Sequence, residues 1–97
     1  TPISEFPSSN RDLSFSIKDF SKCKILEEFI LNFENALLKE VFVFDYFKNE
    51  KMNEIKIGFR FIFQDIESTI TETQVNDVMN VIIKKSLEEK SISIPGL

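Results

Sequence analysis

The amino-acid sequence predicts an α+β fold in which a four-stranded antiparallel sheet carries two helices on one face. Two segments, residues 13–17 and 55–64, alternate apolar and polar positions, which is typical of half-buried strands. Residues 24–39 and a later segment that begins at Thr71 repeat apolar positions at three- and four-residue spacing, which is typical of amphipathic helices. With two further strand segments, the order is strand, helix, strand, strand, helix, strand.

The first half of the chain begins with residues 1–10, which hold two prolines and three serines and should form an extended lead-in. The first strand, residues 13–17, points its odd-numbered residues inward. The helix over residues 24–39 follows, and a second strand over residues 41–47 is apolar on both sides until Asp45. The apolar stripe of the helix consists of Leu26, Phe29, Ile30, Phe33, Ala36 and Leu37.

The second half begins with a polar loop over residues 48–53, and the third strand, residues 55–64, follows it. Thr71 and Gln74 have the spacing of a capping box, which predicts the start of the second helix. Residues 91–94 can form a short last strand. The third strand points Ile57, Phe59, Phe61 and Phe63 to one side, and the inner stripe of the second helix is Val75, Val78, Met79, Ile82 and Leu87.

This order of elements predicts two right-handed crossovers and hence a ferredoxin-like βαββαβ sandwich, with strand order 4-1-3-2. Both helices should lie on one face, and Phe44 and Tyr46 can serve the core. We term the other, uncovered surface of the sheet the open face. It should carry Ser14, Ser16, Val43, Asp45, Phe47, Lys56, Gly58 and Arg60.

Composition limits the chemistry that this chain can perform. Its 97 residues are enough for one domain, and they include no histidine and a single cysteine, Cys23. A disulfide within the chain, the usual zinc sites and any nucleophile paired with histidine are therefore excluded. The lone cysteine favours a reducing compartment, and no apolar run approaches the roughly 18–20 residues of a membrane span.

The net charge of −4 bears on possible partners, because phosphate contacts supply most of the affinity in nucleic-acid binding. If this chain binds RNA, other parts of a larger molecule should contribute most of the binding energy. The chain starts at Thr1 rather than at methionine, which fits a single domain over residues 1–97 that is cut from a longer protein, although processing would give the same start.

Asp45 and Phe47 are the strongest functional candidates. On a strand they point the same way, and a ring beside a hydrogen-bond acceptor is what a protein needs to hold an unstacked base. Two structural alternatives remain open. Asp45 could be a solvated carboxylate on an edge strand, and Phe47 could be an aromatic residue that a neighbouring domain covers.

Several ordered motifs resemble the ferredoxin-fold anticodon-binding domain that closes the β subunit of bacterial phenylalanyl-tRNA synthetase and the single-chain organellar enzymes. The resemblance covers nearly the whole chain. The motifs that carry it are Phe6-Pro7, Arg11-Asp12-Leu13-Ser14-Phe15, Phe44-Asp45-Tyr46-Phe47, residues 57–65, Thr69-Ile70-Thr71 and Gly96-Leu97.

The resemblance implies binding of the anticodon stem-loop of phenylalanine tRNA, and not of DNA or a membrane. It assigns Asp45 as the acceptor for a guanine at the first anticodon position. Phe47, where the family usually has tyrosine, becomes the stacking ring, and Arg11, Lys56 and Arg60 become candidate RNA contacts. Arg11 could instead pair with the adjacent Asp12, and Arg60 could pair across strands with Asp45.

The resemblance also implies a parent enzyme, an α₂β₂ ligase that charges tRNA with phenylalanine using ATP and Mg²⁺. It would act in the bacterial cytoplasm or in an organelle. This chain would contribute recognition alone, with no catalytic residue and no cofactor of its own, and its partners would be the tRNA, the rest of the β subunit and the α subunit.

Three other functions share the predicted fold. Residues 58–63 partly resemble the central strand of an RNA-recognition motif, but that motif needs its rings on the open face, whereas Phe59, Phe61 and Phe63 should point inward. An acylphosphatase-like enzyme would need a glycine-rich anion loop that is missing. A protein-interaction or regulatory module, in which the open face dimerises or binds an effector, remains the alternative, and the acidic charge suits it.

Overall fold

A computed structural model of the chain describes residues 7–65 and 67–97. The four strands form one antiparallel sheet in the order β2-β3-β1-β4, which confirms the predicted topology and the ferredoxin-like α+β class. No helix in the described ranges is long and apolar enough to cross a membrane. The elements are β1 (Ser9–Ile17), α1 (Cys23–Leu31), β2 (Leu38–Asn49), β3 (Glu54–Phe63), α2 (Glu72–Ser86) and β4 (Ile92–Ser93).

The core lies between one face of the sheet and the two helices. Phe15 of β1 and Phe59 of β3 are cross-strand diagonal neighbours on that face, and their rings meet edge to face with centroids 5.8 Å apart. Burying one such side chain contributes about 1.5–3 kcal/mol. The fully or nearly buried set combines the inward residues of the strands with the helix residues Leu26, Ile30, Val75, Val78, Met79 and Ile82.

Helix α1 is much shorter than the predicted residues 24–39. A turn of 3-10 helix at Phe20–Lys22 leads into it, and it ends at Leu31 with Asn32 as its C-cap. Three residues later, the Asn35 side chain accepts a hydrogen bond from the backbone N–H of Leu37 at 2.9 Å. This local bond offers the backbone an alternative to helix, so the apolar spacing that continues past Leu31 belongs to a turn.

Helix α2 begins as predicted, whereas its predicted inner stripe extends one residue too far. Thr71 accepts a hydrogen bond from the backbone N–H of Gln74, and the Gln74 side chain accepts one from the N–H of Thr71, which completes the capping box. Leu87, expected in the inner stripe, is instead the C-cap and is exposed.

The β2–β3 hairpin is longer than predicted, because β2 starts at Leu38 and continues to Asn49. The turn is closed by the Asn49 side chain, which accepts a hydrogen bond from the N–H of Met52. Asn53 takes φ +52°, a left-handed conformation that asparagine tolerates. Strand β2 lies at the edge of the sheet, so its residues have a neighbouring strand on one side only.

The observed bounds of β1 and β4 also differ from the predicted ones. β1 already includes Ser9 and Asn10, which were expected in the lead-in, whereas residues 1–6 lie outside the described ranges. β4 is only two residues long, Ile92–Ser93, where residues 91–94 were predicted.

Candidate nucleic-acid interface

Strand β3 separates the two faces of the sheet. Its odd-numbered residues from Ile55 to Phe63 are buried against the helices, whereas Lys56, Gly58 and Arg60 point the opposite way. Among the described residues, no helix packs over this second side, which is the open face of the sheet. Any partner that docks on the sheet therefore meets these residues and their cross-strand neighbours.

Four of the five predicted site residues lie on this face. In the register of β2 and β3, Asp45 is opposite Gly58 and Phe47 is opposite Lys56. Arg60 follows Gly58 by two residues on β3 and points to the same face. Asp45 is exposed, and it has no hydrogen-bond or ion-pair partner within the described part of the chain. The Phe47 side chain is 57% exposed. A free carboxylate and an accessible ring are thus side by side.

A β-bulge in β2 produces this arrangement. Val43 pairs with Phe59, but the next pair along the ladder is Asp45 with Gly58, so Phe44 is an extra residue. Val43 is therefore on the helix-covered face, and its predicted place on the open face was wrong. Phe44 was predicted to serve the core, but it is 41% exposed.

The ring of Phe44 lies over Gly58 on the open face. Its Cε1 and Cζ atoms are each 2.9 Å from the position that a Cβ atom on Gly58 would occupy. Only glycine leaves room for the ring there. Tyr46, the other residue predicted for the core, points to the helix side of the edge strand, where 52% of its surface remains exposed.

The guanidinium of Arg60 is held from two sides. Its Nε and Nη2 donate to the two carboxylate oxygens of Asp12 at 2.8 and 2.9 Å. This bidentate hydrogen bond lowers the pKa of Asp12 and raises that of Arg60. The Cζ of Arg60 is also 4.9 Å from the centroid of the Phe44 ring. The partner of Arg60 is thus Asp12 of β1, and the expected pairing with Asp45 was wrong.

Lys56 lies near a polar cluster at one end of the open face. Ser16 is buried there and donates a hydrogen bond to Glu54, and Lys18 forms an ion pair with the same carboxylate at 3.3 Å. The bond from Ser16 is the main reason that the pKa of Glu54 is lowered, and Lys56 adds a weaker attraction. Lys56 itself is exposed and can approach a ligand that stacks on Phe47, its cross-strand neighbour.

Arg11 is the one predicted site residue that the fold does not bring to this face. It pairs with Phe61 in the β1–β3 register, so its side chain leaves the sheet on the helix-covered side. There its Nη2 is 3.8 Å from the Glu72 carboxylate, at the start of α2. The alternative considered for Arg11, an ion pair with Asp12, was wrong, because Asp12 lies on the open face and is bonded to Arg60.

Sequence reasoning missed three residues of this surface, namely Asp12, Phe42 and Phe44. Phe42 is opposite Arg60 and 36% exposed, so three phenylalanines of β2 reach solvent on the open face. One signal was available, because an isolated glycine within a strand pattern often marks a bulge or a close approach. Gly58 was that glycine.

The described residues show neither a cluster of metal ligands nor a reactive thiol. No three cysteine, aspartate or glutamate side chains within residues 7–65 and 67–97 come close enough together to hold a metal ion. Cys23 is buried, and its Sγ donates to Glu27 at 3.3 Å. Burial, followed by this contact, raises the pKa of the thiol to about 11, which suits a structural cysteine.

Comparison with known proteins identifies the family of this chain. Residues 4–94 match the family described as the ferredoxin-fold anticodon binding domain. The chain is 35% identical over 92 residues to the phenylalanine–tRNA ligase beta subunit of Bacillus licheniformis, an alignment that covers 93% of this chain and 11% of the relative.

Two further relatives extend the comparison. The chain is 34% identical over 91 residues to the beta subunit of the same ligase from Synechococcus elongatus, covering 92% of this chain and 11% of the relative. It is 28% identical over 81 residues to the chloroplastic/mitochondrial phenylalanine–tRNA ligase of Arabidopsis thaliana, covering 84% and 19%. This chain therefore spans only a small part of each relative. It belongs to the ferredoxin-fold anticodon-binding domain family and is homologous to a segment of phenylalanine–tRNA ligase beta subunits.

Proposed function

We propose that this chain binds the anticodon stem-loop of phenylalanine tRNA on its open face and reads the first anticodon base, a guanine. The observation that carries the proposal is the carboxylate of Asp45, which has no partner among residues 7–65 and 67–97, beside the exposed ring of Phe47. Guanine presents two donors, N1–H and N2–H₂, on its pairing edge, and one carboxylate can accept both. Adenine presents an acceptor at N1, which the carboxylate would repel.

The neighbouring side chains support the same role. Stacking of the guanine on Phe47 would contribute about 1–3 kcal/mol. Lys56 is opposite Phe47 and exposed, so it can contact a phosphate of the loop. Arg60 can add a positive charge, although Asp12 already holds part of its guanidinium. Arg11 stays a prediction, and it would contact RNA only beyond the open face.

The net charge of −4 supports a role within a larger enzyme, since few cations here can meet phosphates. We propose that the parent is the β subunit of an α₂β₂ ligase that charges tRNA with phenylalanine. By analogy with these ligases, ATP and Mg²⁺ would bind elsewhere in that enzyme, mainly in the α subunit. This chain would supply recognition, and the rest of β together with α would supply catalysis and most of the affinity.

The test is an NMR titration of the ¹⁵N-labelled chain with the anticodon stem-loop, beside a control loop in which adenine replaces the first-position guanine. We expect chemical-shift changes at Asp45, Phe47 and the open face, and weaker ones with the control loop. Because an amide NH₂ cannot accept a hydrogen bond, Asp45→Asn should bring the two affinities together. Asp77→Asn, the same change at an exposed position on α2, should leave the preference intact.

Two outcomes would count against this function. If Asp45→Asn still discriminates as the unmodified chain does, Asp45 is not the reader. If neither loop causes shifts, the titration is repeated with the whole synthetase, with and without this domain. An equal affinity of those two enzymes for the tRNA would favour the interaction module, to which the acidic charge and the three exposed phenylalanines of β2 are also suited.

A further inference from the structure

The bulge at Phe44 decides which side chains of β2 reach the open face. Before it, Val43 pairs with Phe59 on the helix-covered side. Regular alternation from that pair would place Asp45 opposite Ile57, on the helix-covered side. A shift of one residue moves every later side chain to the other face, so Phe47 would leave the open face together with Asp45. Because Phe44 is an extra residue in β2, Asp45 and Phe47 point to the open face instead.

We propose that Asp12, Arg60, Phe44 and Gly58 form a positioning unit that holds the bulge and thereby presents Asp45 to the base. This inference rests on the proposed function, because it assigns these residues a part in the reading of guanine. None of them needs to touch the base. Their task is to keep the carboxylate of Asp45 on the open face and in a fixed direction.

The contact between Phe44 and Gly58 anchors the bulge within the sheet. The ring atoms Cε1 and Cζ lie 2.9 Å from where a Cβ on Gly58 would be, closer than real Cβ contacts come. The ring thus occupies space that any other residue at position 58 would fill. Asp45 also faces this glycine, with its Cβ 3.4 Å from the same point, so one glycine accommodates both residues of the bulge.

Arg60 holds the ring in place from the neighbouring position on β3. Its guanidinium is 4.9 Å from the ring centroid, and the two hydrogen bonds to Asp12 fix the orientation of the guanidinium plane. Both contacts depend on the flat, forked shape of arginine. Lysine would preserve the charge but lose the bidentate bond and the planar stacking surface. Arg60→Lys therefore separates positioning from simple attraction to phosphate.

The experiment measures binding of the guanine loop and of the adenine loop to three variants of the whole chain, Arg60→Lys, Asp12→Asn and Gly58→Ala. Asp77→Asn on α2 is the matched control for Asp12→Asn. A second readout reports the bulge without RNA, namely the nuclear Overhauser effect between the Phe44 ring and the Hα protons of residue 58 (one proton in the alanine variant). The corresponding effect between the rings of Phe15 and Phe59 verifies that the core remains folded.

If the positioning unit acts as proposed, the Overhauser effect between Phe44 and residue 58 weakens in each of the three variants while the core effect persists. The ratio of guanine-loop to adenine-loop affinity then falls by up to about two- to fivefold in Arg60→Lys, the value of one exposed cation–π contact. Gly58→Ala should lower the ratio at least as far, since its new methyl group displaces the ring. Asp77→Asn should keep both the contact and the ratio.

The results separate this inference from the proposed function. If the unmodified chain discriminates and Asp45→Asn does not, guanine reading stands. An unchanged ratio in Arg60→Lys and Gly58→Ala would then overturn the positioning role alone. An Overhauser effect between Phe44 and residue 58 as strong in Arg60→Lys as in the unmodified chain would overturn it as well, with no RNA involved. If the unmodified chain shows no preference, guanine reading fails and takes this inference with it.

Discussion

The polar residues of the open face divide into those with partners and those without. Asp12 is bonded to Arg60, and Ser16 to Glu54, so their hydrogen-bonding capacity is largely used within the fold. Asp45 has no such partner in the described ranges. A carboxylate that nothing in the fold engages can accept hydrogen bonds from a ligand without breaking any bond first. This difference explains why we propose recognition for Asp45 and a positioning role for Asp12 and Arg60.

Replacement of Phe47 by alanine should weaken loop binding and leave the fold intact. More than half of its side chain is exposed, so truncation removes a stacking surface worth about 1–3 kcal/mol in binding and little of the core. Binding is measured by the NMR titration and stability by urea unfolding. Phe59→Ala is the contrast, because loss of a fully buried ring costs about 3–5 kcal/mol of stability. A similar loss in Phe47→Ala would identify Phe47 as a core residue.

Cys23 should react slowly with alkylating reagents in the folded chain. Burial raises the pKa of its thiol from 9.0 to about 11, so the thiolate fraction at pH 8 falls about 100-fold relative to the unfolded chain. The raised pKa contributes stability that is complete below pH 9.0 and is lost as pH rises toward about 11. The rate of iodoacetamide modification, with and without urea, checks this. Equal rates in the two states would contradict it.

For single residues, the sequence predicted the face of Asp45 and Phe47 correctly but not the full set of residues on the open face. Asp45 and Phe47 were predicted to share the open face, and they do, but that prediction assumed unbroken alternation from Val43. Val43 in fact faces the helices, since the bulge at Phe44 changes the parity. A bulge adds one residue without altering the apolar composition of a strand. Only the isolated Gly58 indicated it, because the close approach of the Phe44 ring requires a residue without Cβ.

Among the elements, those with an explicit end signal were predicted best. Thr71 and Gln74 identified the start of α2, and both hydrogen bonds of the capping box are present. The end of α1 was overestimated because apolar spacing continues beyond it through Phe33 and Leu37. Those side chains do pack against the core, but Phe33 lies in a loop and Leu37 in a turn that Asn35 stabilises. The spacing of apolar residues therefore indicates which side chains face the core, but it does not by itself show that the backbone is helical.

The capping box makes a quantitative test of α2. Thr71→Ala should lower the free energy of unfolding by about 0.5–2 kcal/mol, because it leaves an N–H at the helix start without its acceptor. Urea unfolding followed by circular dichroism measures the change. Thr73→Ala is the matched control, an exposed threonine inside the same helix, where alanine has the higher helix propensity. A Thr71→Ala protein as stable as the unmodified chain would show that the cap contributes nothing.

For the whole molecule, the order of elements was sufficient to predict the topology. Alternating and helical patterns place two crossovers on one sheet, and the handedness of crossovers then leaves few arrangements. The affinity for RNA was harder to predict from the sequence, because net charge does not show where on the surface the charged side chains lie. Of the cations on the open face, Lys18 is engaged by Glu54 and Arg60 by Asp12, while Lys56 has only a weaker attraction to Glu54.

Binding of the stem-loop by this chain should depend only weakly on salt. Two phosphate contacts at most, from Lys56 and Arg60, correspond to a loss of about sevenfold in affinity between about 50 and 200 mM salt. Titrations at these two concentrations measure the slope. A loss of about 100-fold would require several more phosphate contacts than the open face provides, and would direct attention to Arg11 and the residues near it.

The interrupted register of β2 also affects how the chain behaves at high concentration. An edge strand of twelve residues with exposed phenylalanines is a template on which a second copy could add its own strand, as happens in aggregation. Irregularities next to Lys39 and at Phe44 break the straight row of backbone groups that such addition needs. We therefore expect that the bulge, which turns Asp45 toward the open face, also disfavours self-association of this sheet.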